Sequence, residues 1–184
     1  MNLIQSVAPS SQPVTLEEAK DFLRILDTDD DVLIGSMILQ ATQSAEIIMN
    51  RQIMPATYEL YLNAMHSEII LPRPPFISLE SFQAFDGTVW NDVSEYDLDD
   101  KAMLAALYPS FTGVVSSKKN SVKVVYKAGY AAADKVPESI KTWIKIQVSS
   151  YYENREPFVV GVSVSELPYS HVNALLNRYK VHNV

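Results

Sequence analysis

The chain has 184 residues, 47% apolar and 20% charged, with 15 basic against 22 acidic side chains, a formal net charge of -7 and no cysteine. That is one ordinary domain of chain with enough apolar residues for a core, and the proportions exclude a disordered polymer. The acidic balance speaks against a dedicated nucleic-acid binder, whose grip comes from neutralising phosphates, and the lack of thiols removes disulfides, thiolate nucleophiles and zinc-thiolate sites together.

The opening "MNLIQSVAPSSQPV" holds two prolines and little periodicity, so residues 1–14 read as a flexible or extended arm without an export signal. "TLEE" at 15–18 is a capping box, in which Thr15 accepts from first-turn amides while Glu18 reaches back. Ala19, Phe22, Leu23 and Leu26 then supply an apolar stripe. "DTDDD" at 27–31 has acids at alternate positions, as a calcium loop begins. However, Val32 stands where the loop needs glycine and Ile38 where it needs a bidentate glutamate, so the acids read as a helix start, one of them capping. Ile34, Met37, Ile38, Ala41, Ala45, Ile48 and Met49 recur at helical spacing toward Arg51, and Pro55 bars any continuation.

The period then shortens to two. In "TYELYLN", Tyr58, Leu60 and Leu62 share one face of a half-buried strand. "IILPRPPF" reads as a strand and rigid turn, "FQAFDGTVW" as a hairpin turning at Asp86-Gly87, and further strands are expected near residues 96–98 and 104–108. In "VKVVYKAGY", Val122, Val124 and Tyr126 face inward while Lys123 and Lys127 face out, with Lys118 and Lys119 just upstream. Those four lysines are either a DNA-facing patch or the guard of an edge strand, and the acidic balance favours the guard.

Pro137 introduces a third helix on which Ile140, Trp143, Ile144, Gln147, Val148, Tyr151 and Tyr152 form one stripe, and Pro157 forces an exit. After the extended "FVVGVSVSELP", Val172, Leu175, Leu176 and Tyr179 repeat at helical spacing. These four are too few to fold alone and need a surface, either the chain's own helical layer or another subunit. The expected fold is α+β: a helical layer from both ends of the chain, 15–54 and 137–180, with a central antiparallel β insertion over 56–130, all in one domain from 15 to 184.

Chemistry finds no footing. The five glycines are isolated, so neither a phosphate loop nor a dinucleotide fingerprint can be built. His66, His171 and His182 lack ligand spacing, and "GVSVS" lacks the second glycine of a nucleophile elbow. No catalytic, metal or cofactor residue is expected. A carboxylate pair assembled by the fold, as in a small hydrolase, is the enzymatic alternative. A weak DNA-binding module on the four lysines is the other.

"VTLEEAKDFLRI", "VVYKAGY", "VPESIKTWIKIQVSSYYENRE" and "VSELPYSHVNALLNRYKV", in that order and spacing, resemble the head-tail connector (head-completion, adaptor) proteins of tailed phages and prophages, in the subgroup with a β insertion. The resemblance spans Val14 to Val181; residues 94–120 follow no familiar pattern. It implies a structural protein without catalysis, made in the host cytoplasm and built into the virion neck as a homo-oligomeric ring, a dodecamer, below the portal. The ring would extend the channel for packaged DNA without binding it specifically, and would dock the next neck or tail protein; no membrane is involved. On that view Tyr151, Tyr152, Glu153, Arg155 and Glu156 are candidates for the contact between subunits, beside a core role for the tyrosines. Val172, Leu175, Leu176 and Tyr179 are candidates for the portal contact.

Overall fold

The computed structural model describes residues 1–154 and 169–182, so Arg155, Glu156 and the stretch expected to be extended before the last helix lie outside the described residues. The chain forms two compact units, one from Met1–Ser10 with Met54–Ala131, the other from Ser11–Ile53 with Ala132–Val184. Helices and antiparallel sheets divide between them, which makes the protein α+β as expected.

In the helical unit, α1 (Leu16–Leu23) opens on the capping box, Thr15 Oγ1 accepting from Glu18 N at 3.1 Å and Thr15 N donating to Glu18 Oε2 at 2.8 Å. It stops sooner than the apolar spacing suggested, because Arg24 turns left-handed with φ 60°, leaving Leu26 96% exposed. Helix α2 (Asp31–Met49) buries Ile34, Met37, Ile38, Ala41, Ala45 and Met49, and ends at Asn50, φ 53°, before Pro55 is reached. Asp30 holds the cap position, its backbone oxygen accepting from Ile34 N at 2.8 Å, and its side chain makes no capping hydrogen bond. Helix α3 (Glu138–Glu153) follows Pro137 and a short 3-10 turn, and presents Ile140, Trp143, Ile144, Gln147 and Val148 to the core. Helix α4 (Tyr169–Asn177) packs on α3 and α2.

In the β unit the strands are β1 (Asn2–Val7), β2 (Ala56–Leu62), β3 (Ile69–Ile70), β4 (Phe76–Phe85), β5 (Trp90–Asp92), β6 (Tyr96–Asp99), β7 (Ala106–Pro109) and β8 (Val122–Ala128). They make a five-stranded sheet ordered β1-β2-β8-β4-β5 and a three-stranded sheet ordered β3-β7-β6. Two expectations are corrected here. Residues 2–7 of the supposed flexible arm are an edge strand paired antiparallel with β2, Leu3 opposite Leu60, since β2 offers backbone groups that an extended neighbour can satisfy. And β8 is no edge: it lies between β2 and β4, so its lysines guard no open rim.

Period-two patterning explains the core. Strands β2 and β8 alternate buried positions with half-exposed or exposed ones in matched register, Tyr58 opposite Tyr126 and Leu60 opposite Val124. The Tyr58 and Tyr126 rings stack at 5.9 Å, a contact adding about 1 kcal/mol to the burial of their surface. Tyr126 is wholly buried and donates its hydroxyl to Pro72 O at 2.8 Å, and that burial pushes its ionisation far above the ordinary range. Phe82 meets Tyr96 edge-on at 5.8 Å, bringing β4 of the larger sheet against β6 of the smaller, so the unpatterned stretch after residue 94 is part of the same core. The expected hairpin joins β4 and β5; the Asp86 carboxylate accepts from Val89 N, Thr88 N and Asn91 Nδ2, which holds its pKa down.

Candidate functional site

The surfaces singled out in the sequence separate into three places. At the end of α3, Tyr152 donates its hydroxyl to Asp30 Oδ2 at 2.5 Å, so the acid at the start of α2 holds the end of α3. Tyr151 is half-buried, and Glu153 is exposed, accepting from Ser149 Oγ at 3.3 Å. This end of α3 is thus a joint within the helical unit with a polar outer side.

The last helix is held to its own unit. Leu176 is completely buried, Trp143 Nε1 donates to Asn173 Oδ1 at 3.2 Å, Arg51 Nε donates to Tyr179 O at 2.5 Å, and Val181 N donates to Met49 O at 2.9 Å. Of the two surfaces open to this segment, Leu176 takes the chain's own helical layer and is not available to a partner. Val172, Leu175 and Tyr179 are half-buried.

The four lysines are not one patch. Lys123 pairs with Glu59 at 3.2 Å across β8 and β2, its ammonium 5.6 Å from the Tyr61 ring centroid, and Tyr61 donates to Glu59 Oε2 at 2.7 Å. The Tyr61 hydroxyl and then Lys123 draw the Glu59 pKa down; Lys123 is raised because Glu59 and Tyr61 together outweigh the larger single effect of burial, which opposes it. Lys127 pairs with Glu80 on β4 at 3.3 Å. Lys118 lies 5.8 Å from the Phe85 ring centroid, and Lys119 is exposed in the loop before β8. Two of the four are therefore neutralised by acids on the strands flanking β8, which explains how a central strand carries them. Among the described residues no group of three metal-ligating side chains comes together, and Asp31 of the acidic run pairs instead with Lys20 at 2.6 Å.

Periodicity did not single out the outer side of α2. Its exposed positions are Val32, Ser36, Leu39, Gln40, Gln43 and Ile47, none charged. The available signal was a 19-residue helix with only two ionisable side chains, Asp31 and Glu46, more apolar than one buried face requires.

Comparison with known proteins bears on these surfaces. The model of the family described as phage gp6-like head-tail connector protein matches residues 13–72. No curated protein matches the sequence. Among solved structures, a chain in the neck of an empty gene transfer agent particle, computed with C6 symmetry, superposes with a TM-score of 0.81 at 18% identity, covering 100% of this chain and 97% of that one. A chain of the native gene transfer agent virion gives 0.80, and one from the native neck computed with C12 symmetry gives 0.76, at the same identity and coverage. The resemblance read from the sequence holds: the chain is similar in sequence to phage head-tail connectors through residues 13–72, and it shares a fold along its length with a chain of the gene transfer agent neck.

Proposed function

We propose that the chain is a structural, non-catalytic head-tail connector of a tailed phage or prophage, residing in the virion neck as a ring below the portal. The observation that carries this reading is the full-length fold match to chains of necks computed with C6 and C12 symmetry, joined to the family match over residues 13–72. In this reading the ring has twelve copies, following the C12 neck, extends the channel for packaged DNA, and offers its other side to the next neck or tail protein. The electrostatics suit a channel: acids outnumber bases to a net charge of -7, and Lys123 and Lys127 are held by acids within the sheet, so the protein as a whole does not draw phosphates to it. The half-exposed Val172, Leu175 and Tyr179 of α4 form the portal-side contact, while Tyr151 and Glu153 border the contact between copies.

Mass photometry and negative-stain microscopy of the purified chain, alone and with its portal protein, test the reading. Rings or a portal complex are expected. A chain that stays monomeric and ignores the portal would overturn it.

A further inference from the structure

Helix α2 has two unlike sides. Ile34, Ile38, Ala41, Ala45 and Met49 are essentially inaccessible in the helical core. Across the helix, Val32, Ser36, Leu39, Gln40, Gln43 and Ile47 fall within an arc of about 100° at 3.6 residues per turn, along a helix ~28 Å long. Val32 is 89% exposed, Leu39 49% and Ile47 73%. The helix's two charges are both occupied elsewhere: Asp31 holds Lys20, and Glu46 Oε1 accepts from Gln52 Nε2 at 2.7 Å and from Ile53 N at 2.9 Å. A stripe of three apolar and three neutral polar side chains, along which no charge interrupts, is left facing water on an acidic protein.

We infer that this stripe is where one copy of the chain packs against the next. The inference rests on the ring reading above and names the surface that closes the ring. Copies each carrying a charge of -7 repel, so they approach most closely where neither presents charge, and charged residues are depleted at the centres of such contacts. A closed ring requires a patch on each copy that meets a different patch on its neighbour, and the α2 stripe is one of the two. Nucleic acid has no cation to hold on it. A membrane fits poorly although the helix has the length and mean hydropathy of a span, because its opposite side is core and no basic residue belongs to the helix.

The test places the photo-cross-linker p-benzoylphenylalanine at Gln43 in the full chain, in cells producing the particle, and compares Leu39→Glu with wild type. Cross-linked species at multiples of 20.6 kDa containing only this chain are expected. Leu39→Glu should lower multimer yield by roughly tenfold or more, since it buries an unpaired charge at the contact, while its melting temperature stays at the wild-type value. Cross-links to a different protein or to lipid, or multimers undiminished by Leu39→Glu, overturn the inference while multiple wild-type copies in the neck keep the connector reading. If wild-type chain forms no multimers and is missing from the neck, both fall.

Discussion

The β unit and the helical unit treat their outward surfaces differently. In the β unit, positions that alternate with the core carry cross-strand partners, Lys123 with Glu59 and Lys127 with Glu80, so the sheet meets water with its charges matched. The helical unit joins its elements through Lys20 with Asp31 and Tyr152 with Asp30 and exposes other charges, such as Glu17, Asp21 and Asp29, yet the outer side of α2 carries none. Both units leave apolar side chains in water, Trp90, Met103 and Val114 in the β unit as well as Val32 and Ile47 on α2; what sets α2 apart is that its exposed positions share one regular helix face without charge.

The largest effect expected is in the helical unit, where Leu176→Ala removes the wholly buried anchor of α4. A loss of about 3 kcal/mol is expected by urea titration, with hydrogen exchange rising across residues 169–182. A change confined to a few tenths of a kcal/mol would show that α4 gains its order from a partner, and would sharpen the contrast.

Glycine to alanine gives opposite signs in the two units. Gly129 has φ +124°, and a Cβ there would lie 2.6 Å from the Met54 carbonyl oxygen, a backbone atom, so Gly129→Ala should cost about 2 kcal/mol or more. Gly35, in α2, has nothing within 4 Å of such a Cβ, and Gly35→Ala should stabilise by up to ~1 kcal/mol. The pair of denaturation midpoints checks both directions. Tyr152→Phe, which removes the bond joining α3 to Asp30, should cost about 1 kcal/mol by the same measurement.

The smallest effect tests the claim that the sheet's charges are matched. Glu59 is held below its ordinary 4.5, so it stabilises the fold above that value, and the contribution disappears as pH falls through its lowered folded value. Lys123 is held above its ordinary 10.5, so its share is complete below that value and is lost only as pH rises through the folded value. Stability from this pair should therefore be level through neutrality, with an acid-side decline that Glu59→Gln makes shallower. A double-mutant cycle on the partly exposed pair should give a coupling of about 0.5 kcal/mol.

Elements governed by a local period were legible in the sequence. The capping box at Thr15 and Glu18, the alternation of β8 and the Asp86-Gly87 hairpin are set by neighbours a few residues away. Strand order was not legible, because the acids that admit Lys123 and Lys127 to a central strand lie on β2 and β4, distant in sequence. Residues 2–7 went unrecognised as a strand for a related reason: "NLIQSV" buries almost nothing, so it carries no alternation, and its order comes from the edge of β2. Of the candidate site, the helical spacing of Val172, Leu175, Leu176 and Tyr179 was visible, but spacing alone does not say which surface receives it. Leu176 went to the chain's own core.

The pairing of β1 with β2, and of β2 with β8, bears on how the chain is made. The ribosome releases β1 before the strands that hold it, and the sheet edge on which it pairs rests on a strand completed only at Ala128. Helices α1 and α2 wait similarly for α3, which is translated after the whole β unit. Two nascent segments, one an uncharged strand and the other the apolar helix α2 with only the short α1 beside it, are thus exposed together during synthesis. The chain's yield in the producing cell should depend on what shields them in that interval.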